Sequence, residues 1–140
     1  INSLSKFNCI QACIEADNLG GDEGLMLDMH GYVSTCNSTN FFIVRGSEVW
    51  TSTGEYCLNG VTRGAIIDLC RANNITVLEK NFLTSDIYTA DEVFVTGTFA
   101  GVLPVTSVDE YVLTGSKRGS LTKRLQELYR SDIDKRYPVK

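Results

Sequence analysis

Two short runs of small and hydroxyl-bearing residues are the best candidates for chemistry in this chain. The first run is Gly60-Val61-Thr62-Arg63, where helical hydrophobic spacing begins, and the second is Thr96-Gly97-Thr98, at the end of an apolar strand. Backbone N–H groups lack partners at such element ends, and a helix N-terminus attracts anions. If the two runs meet in space, they form a pocket for an anion, and phosphate is the anion that suits it best.

Other polar residues have simpler interpretations than a catalytic role. His30, the only histidine, precedes a glycine in a predicted turn and is expected to be solvated. Asp91 and Glu92 are neighbours on a predicted strand, so their side chains point to opposite faces and make a poor acid/base pair; Asp91 is expected to anchor the sheet edge. Arg63 either helps to neutralise a phosphate or makes a structural hydrogen bond, and we favour the second role.

Composition limits the class of protein. The chain of 140 residues is long enough for one domain with a core, and its net charge of −4, with no Lys/Arg block, argues against nucleic acid or an anionic membrane as partner. No apolar run approaches the length of a membrane span. The five cysteines are an odd set in mostly apolar patterns, which predicts buried free thiols in a reducing compartment, the cytoplasm. Cys9 and Cys13 lie one helical turn apart, but no second Cys/His pair completes a ligand set, so no metal is expected.

Hydrophobic spacing and turn residues predict short strands mixed with amphipathic helices. Helices are expected after Ser5, from Thr62 to about Asn73, in a short segment ending at Tyr88 and around residues 121–129, with fraying from Ser131. Strands are expected near residues 25–27, 32–35, 41–44, 48–51, 75–78, 93–95 and 102–105, with a polar loop at 37–40. Hairpins mix with crossovers, which favours an α+β domain with a mixed sheet over a doubly wound parallel one.

The order of the motifs is more specific than any one of them. The segments are Asp-Met-His-Gly-Tyr-Val at 28–33, Asn-Phe-Phe-Ile-Val at 40–44, Leu-Asn-Gly-Val-Thr-Arg at 58–63, Ala-Asp-Glu-Val-Phe-Val-Thr-Gly-Thr at 90–98 and Pro-Val at 104–105. In this order the chain closely resembles the class IV (fold type IV) pyridoxal-phosphate enzymes, which include branched-chain and D-amino-acid aminotransferases and aminodeoxychorismate lyase. The likeness covers residues 5–128.

The resemblance implies a domain organisation. Residues 1–140 would form the large, C-terminal, cofactor-binding domain, a mixed sheet or pseudo-barrel flanked by helices, without the smaller N-terminal domain of the family. The chain opens without methionine, as if at the end of a strand that runs into a helix, so we expect it to be a piece of a longer protein. Family members are dimers with the active site between the two domains, and a homodimer is therefore expected.

The resemblance also gives the anion pocket an occupant, the phosphate of pyridoxal 5'-phosphate. Its implied ligands, which act through backbone N–H groups and hydroxyls, are Gly60, Val61, Thr62, Gly97 and Thr98. Leu58 would pack on the pyridine ring, and backbone groups at Phe99 and Ala100 would face the substrate carboxylate. The simpler alternative is that Gly60 and Gly97 are plain turn residues.

Two positions depart from the family pattern. The family's Schiff-base lysine would fall at Asn2, or at Ile1 if one residue is inserted, and neither has the primary amine that condenses with an aldehyde. Lys6, about one helical turn further on, is the nearest lysine and the candidate for this role; the alternative is a solvated first-turn lysine.

Thr35 stands where the family has a glutamate that keeps the pyridine nitrogen protonated. A hydroxyl can hydrogen-bond that nitrogen but cannot hold its proton by charge, so classical transamination should be slower. The simpler alternative is that Thr35 is an inward hydroxyl on a strand.

The function implied by the resemblance is pyridoxal-phosphate-dependent transfer of an amino group between an aliphatic, branched-chain-like amino acid and a 2-oxo acid. Three explanations of the departures stay open: a variant enzyme that uses Lys6 and Thr35, a cofactor-binding relative without turnover, and a fragment whose lysine is missing from this chain. The competing functions are a non-catalytic binding or scaffold protein and a pyridoxal-phosphate-dependent lyase.

Overall fold

The computed structural model of the chain describes residues 14, 17–18, 22–36, 38–54, 60–98, 101–108, 111–112 and 118–137. The described strands are β1 (Leu25–Leu27), β2 (Val33–Cys36), β3 (Asn40–Arg45), β4 (Glu48–Thr51), β5 (Thr76–Glu79), β6 (Glu92–Gly97), β7 (Gly101–Pro104), β8 (Ser107–Val108) and β9 (Tyr111–Val112). The described helices are α1 (Val61–Ala72), α2 (Thr84–Tyr88) and α3 (Ser120–Arg136). This element content confirms the predicted α+β class. Most of the helix predicted after Ser5 lies outside the described residues.

A mixed five-stranded sheet with the order β5-β4-β3-β6-β7 lies at the centre of the described part. β4 and β5 are parallel, whereas β3 pairs antiparallel with both β4 and β6, and β6 pairs antiparallel with β7. β3 and β6 are buried along almost their whole length, which explains why their sequences are continuous apolar runs and not alternating ones.

Successive residues of β3 and β6 point into two separate hydrophobic cores. On one face, Phe42 and Phe94 stack with their ring centroids 4.8 Å apart, and Ile66 of α1 and Leu125 of α3 belong to the same core. On the other face, Ile43 belongs to a core formed with β2 and α2. The two longer described helices therefore share one face of the sheet.

The ends of α1 follow the predicted local chemistry. The helix begins at Val61, one residue before the predicted start at Thr62, and Gly60 is its N-cap. It ends at Ala72, and Asn74 then turns the chain with a φ of 57°. Asparagine tolerates this left-handed conformation better than most residues, as the sequence indicated.

The last helix is longer than predicted. α3 continues to Arg136, which corrects the expectation of fraying from Ser131. An ion pair of 3.2 Å between Asp132 and Arg136 and a hydrogen bond of 2.8 Å from the N–H of Tyr137 to the carbonyl of Ile133 hold its final turn. Within the described ranges, no helix combines the length and the apolar character that a membrane crossing needs.

Glu92, the first residue of β6, holds the N-terminus of α3. Its carboxylate accepts hydrogen bonds from the backbone N–H groups of Leu121 and Thr122 at 3.2 and 2.8 Å, and from the Thr122 hydroxyl at 2.8 Å. A carboxylate at this position satisfies helix donors and interacts favourably with the helix dipole. The N-cap, Gly119, has no side chain that could do the same.

We expect Glu92→Ala to lower the free energy of unfolding by about 1–3 kcal/mol, because two helix N–H groups and the buried Thr122 hydroxyl lose their acceptor. Urea unfolding followed by circular dichroism measures this loss. Glu127→Ala is the matched control, since Glu127 lies on the exposed face of the same helix. Equal stability of the two variants would contradict the role given to Glu92.

Candidate functional site

The start of α1 lies against the start of β3. Gly60 has an extended backbone (φ −61°, ψ 149°), and a Cβ atom there would lie 2.6 Å from Oδ1 of Asn40. Real Cβ atoms do not approach so closely, so the position suits glycine because of contact and not because of backbone angles. Asn40 is buried as the first residue of β3, which corrects its predicted place in a polar loop.

The end of β6 meets the same segment. Thr96 pairs with Asn40 in the antiparallel ladder, and a Cβ atom at Gly97 would lie 3.1 Å from Cγ2 of Thr39. Gly60 and Gly97 therefore border two adjacent residues, Asn40 and Thr39, at the start of β3. The two runs singled out in the sequence lie at one place in the fold.

The first turn of α1 offers backbone donors at this place. The N–H of Gly64 bonds to the carbonyl of Gly60 at 3.1 Å, so the N–H groups of Val61 and Thr62 precede the helical ladder. Val61 is 85% exposed, which leaves the helix end open, whereas Thr62 is buried. Thr98 is exposed in the turn after β6.

Thr35 takes part in a hydrogen-bond network beside this segment. Its hydroxyl donates to the carbonyl of Thr39 at 2.8 Å, and the amide of Asn40 lies 3.4 Å from the same hydroxyl oxygen. The hydroxyls of Thr39 and Ser38 donate to the carboxylate of Glu23 at 2.8 and 2.7 Å. The structure thus brings Thr35 next to the residues that Gly60 and Gly97 border, and the groups that meet there are mainly neutral amides and hydroxyls.

Thr96 belongs to the second run, but it is not among the phosphate ligands that the resemblance implies. Its hydroxyl is buried, with the residue 1% exposed, and has no hydrogen-bond partner among the described residues. By strand alternation Thr96 shares a face with Phe94, the face that α1 and α3 cover. An unsatisfied buried hydroxyl costs about 1–3 kcal/mol, so a ligand that supplies an acceptor would be stabilised by this residue. The signal for Thr96 in the sequence was its position two residues after Phe94, which puts a hydroxyl on the apolar face of a buried strand.

Arg63 has a structural role, as the sequence analysis favoured. The residue is 4% exposed, and its Nη2 donates to the carbonyl of Ser52 at 2.8 Å and to Oε1 of Glu79 at 3.0 Å. Glu79 also pairs with Arg71 at 3.4 Å. These contacts tie α1 to β5 and to the segment after β4.

The remaining polar candidates also have the simple roles expected. His30 lies in the exposed turn between β1 and β2, where its backbone N–H donates to Asp28 at 2.8 Å. Asp91 accepts a hydrogen bond of 2.6 Å from the N–H of Gly46, and its own N–H bonds to the carbonyl of Val44. Asp91 therefore anchors the turn after β3 to the start of β6.

Four predicted site residues lie outside the described residues, as do the two positions aligned with the family lysine. The four are Lys6, Leu58, Phe99 and Ala100. The aligned positions are Ile1 and Asn2.

The described cysteines are buried and free. Burial raises the pKa of Cys36 from 9.0 to about 12, a contact with Thr39 opposes this rise, and the charge of Glu23 adds to it. Burial likewise raises the pKa of Cys70 to about 11. For these two residues the prediction of buried thiols is confirmed, and neither has the thiolate character of a nucleophile. The other three lie outside the described residues: Cys9, Cys13 and Cys57.

Comparison with known proteins identifies the class that this fold and site define. Residues 1–108 match the family described as amino-transferase class IV. The chain is 39% identical over 134 residues to branched-chain-amino-acid aminotransferase-like protein 2 of Arabidopsis thaliana, covering 96% of this chain and 24% of that protein. It is 38% identical over 122 residues to the branched-chain-amino-acid aminotransferase of Pseudomonas aeruginosa, covering 87% of this chain and 40% of that protein.

A solved structure agrees with these relatives. The structure of an aminotransferase from Brucella abortus bound to the cofactor pyridoxal 5'-phosphate matches with a TM-score of 0.82 at 35% identity, covering 89% of this chain and 44% of that one. The chain therefore belongs to the class IV aminotransferase family and has its fold type IV architecture, as the order of motifs predicted. It spans from about a quarter to two fifths of the length of the two curated relatives named above.

A pair of glycine substitutions tests the close approach at the start of α1. Gly60→Ala should lower the free energy of unfolding by about 1–3 kcal/mol, because the new methyl group displaces the buried Asn40 side chain. Gly64→Ala is the matched control within the same helix, where a new Cβ has nothing within 4 Å, and it should raise this free energy by about 0.5–1 kcal/mol through helix propensity. Urea unfolding of both variants gives the comparison, and stabilisation by both would contradict the contact.

The raised pKa of Cys36 predicts slow alkylation of the folded protein. A shift from 9.0 to about 12 leaves roughly a thousandfold less thiolate near pH 8, and Cys70 should also be protected. Iodoacetamide labelling mapped by mass spectrometry should modify both only after unfolding in urea, which serves as the control. Rapid labelling of native Cys36 would contradict the assignment.

The raised pKa values of Cys36 and Cys70 also predict how stability depends on pH. Above about pH 9 the two thiols lose their protons in the unfolded state but keep them in the folded state. The free energy of unfolding should therefore fall as the pH rises beyond that value.

Proposed function

We propose that this chain is the cofactor-binding part of an aminotransferase that uses pyridoxal 5'-phosphate and transfers an amino group between an aliphatic, branched-chain-like amino acid and a 2-oxo acid. The observation that carries the proposal is the meeting of the α1 N-terminus and the end of β6 around Asn40. The Pseudomonas aeruginosa relative is named for branched-chain amino acids, and the Brucella abortus structure contains pyridoxal 5'-phosphate.

Two features of the described site fit a phosphate group. The buried hydroxyl of Thr96 has no partner among the described residues, and Gly60 lacks the side chain that would crowd Asn40 at the helix end. Backbone N–H groups in the first turn of α1 add donors in the direction that the helix dipole favours. We assign the phosphate to Gly60, Val61, Thr62, Gly97 and Thr98.

When bound, this cofactor supplies an aldehyde that condenses with amines and a ring that withdraws electrons. The protein's task is then to fix the ring and to move protons beside it. The start of α1 and the end of β6 belong to elements that pack into one core. A phosphate held by these two ends would therefore fix one end of the cofactor.

We assign Thr35 to the pyridine nitrogen. Its hydroxyl proton is donated to the carbonyl of Thr39 at 2.8 Å, so its oxygen can accept a hydrogen bond from a protonated nitrogen. A neutral oxygen holds that proton less firmly than a carboxylate does. We therefore expect slower amino transfer than in an enzyme with glutamate at this position.

The roles of four residues are proposed from the family resemblance alone. Lys6 is our candidate for the amine that condenses with the cofactor and moves protons. Leu58 would pack on the pyridine ring. Phe99 and Ala100 would meet the substrate carboxylate through backbone groups.

The organisation of the protein is also part of the proposal. We infer that residues 1–140 form the C-terminal cofactor-binding domain of a longer protein that acts as a homodimer. The buried free thiols at Cys36 and Cys70 favour a reducing compartment, and we infer a cytoplasmic location.

Reductive trapping tests the cofactor and Lys6 together. The intact protein, incubated with pyridoxal 5'-phosphate and treated with borohydride, should carry a phosphopyridoxyl group on Lys6 that peptide mapping locates. Lys6→Ala should abolish this adduct, together with amino transfer from branched-chain amino acids to a 2-oxo acid. Lys123→Ala is the control, because Lys123 is exposed on α3.

Each outcome of the trapping experiment has a distinct meaning. An adduct without amino transfer would contradict the enzymatic proposal and favour a cofactor-binding relative. An adduct on another lysine that survives Lys6→Ala would remove Lys6 from the mechanism. If the intact protein binds no pyridoxal 5'-phosphate at all, the proposed function is wrong.

A further inference from the structure

We propose that Tyr129 is a positioning residue whose hydroxyl orients the side chain of Thr62 toward the bound phosphate. The proposal rests on the function proposed above, because it concerns the same phosphate. Tyr129 lies on α3, far along the chain from Thr62, and its hydroxyl lies 3.5 Å from Oγ1 of Thr62. The contact joins the last helix of the described chain to the first turn of α1.

The ring of Tyr129 is held in place by its surroundings. A Cβ atom at Gly101 would lie 3.3 Å from Cε2 of the ring, and Gly101 has a φ of 66°, so a glycine at the start of β7 clears the space that the ring uses. One turn earlier on α3, Gln126 donates a hydrogen bond of 2.8 Å to the carbonyl of Val102. These two contacts fix α3 against β7 at the height of Tyr129.

The contact lies at the place proposed above for the phosphate. Thr62 lies in the first turn of α1 and is buried. Thr96, whose buried hydroxyl has no partner among the described residues, pairs in the sheet with Asn40 on one side and Val102 on the other. Gly60 lies against Asn40, and Gln126 donates a hydrogen bond to the carbonyl of Val102. Tyr129 therefore reaches the site from the side of β7, opposite Asn40.

The hydroxyl chemistry gives this contact a direction. A threonine hydroxyl has one proton to donate and two lone pairs. If the phenol of Tyr129 donates to Oγ1 of Thr62, the proton of Thr62 stays available for a phosphate oxygen. A hydrogen bond accepted by an oxygen also strengthens the bond that the same hydroxyl donates. Tyr129 thus acts on the phosphate through Thr62, without touching it.

Tyr129→Phe tests the proposal because it removes the hydroxyl and keeps the ring. We expect the dissociation constant of the intact protein for pyridoxal 5'-phosphate to rise by about 3- to 10-fold, the range for one lost hydrogen bond. The affinity for pyridoxal, which lacks the phosphate, should be unchanged. Tyr137→Phe is the matched control, since Tyr137 follows the same helix and is 71% exposed.

A double-mutant cycle separates positioning from a general structural role. In a Thr62→Val background, Tyr129→Phe should have no further effect on the affinity for pyridoxal 5'-phosphate, whereas in a Thr62→Ser background its effect should persist. Equal losses of affinity for pyridoxal and pyridoxal 5'-phosphate would overturn the proposal. So would equal effects of Tyr129→Phe in all three backgrounds.

The outcomes also separate this inference from the proposed function. If the wild-type protein binds no pyridoxal 5'-phosphate, the proposed function fails and the inference fails with it. If the wild-type protein binds the cofactor and Tyr129→Phe behaves like Tyr137→Phe, only the positioning role is wrong. The ratio of the affinities for pyridoxal and pyridoxal 5'-phosphate is measured within one variant. It therefore still tests the positioning role if Tyr129→Phe lowers the melting temperature.

Discussion

The close contact between Gly60 and Asn40 is the constraint on which the site depends. It brings the open end of a helix to the first residue of a buried strand, with 2.6 Å between a would-be Cβ and the asparagine oxygen. Gly97 makes a similar approach to Thr39, one residue earlier. A Cβ atom would be too close to Asn40 at Gly60 and would make a tight contact with Thr39 at Gly97, so the close packing at this place depends on the small size of the two glycines.

The polar residues at this place are unusual because a hydrophobic sheet surrounds them. Asn40 and Thr96 extend the strands in which Phe42 and Phe94 fill the core, two residues away in each case. Burying amides and hydroxyls is favourable only when they find partners. Thr35 and Thr39 take part in some of these bonds, at 2.8 Å. The unpartnered hydroxyl of Thr96 marks the place where the described residues do not complete the set.

The sequence predicted the local elements better than the contacts between them. Hydrophobic period and small residues are local signals, and they predicted the helix start within one residue of Val61 and the strand end within two residues of Gly97. The burial of Asn40 was missed because polarity predicts a loop, whereas pairing with β6 and a hydrogen bond to Thr35 decided otherwise. The helical spacing of Leu121, Leu125, Leu128 and Tyr129 accounts for the packing of the Tyr129 ring on the core. It could not place the hydroxyl, since its neighbour is distant in the chain.

The length of β6 fixes the distance between the residues at its two ends, Glu92 and Gly97. Glu92 at one end holds the start of α3, and Gly97 at the other lies against Thr39 beside the proposed phosphate site, about 17 Å away at the usual rise of a strand. Adding or deleting one residue inside this strand would turn one end to the opposite face of the sheet while leaving the other unchanged. Insertions and deletions in related chains should therefore fall in the loops on either side of this strand and not within it.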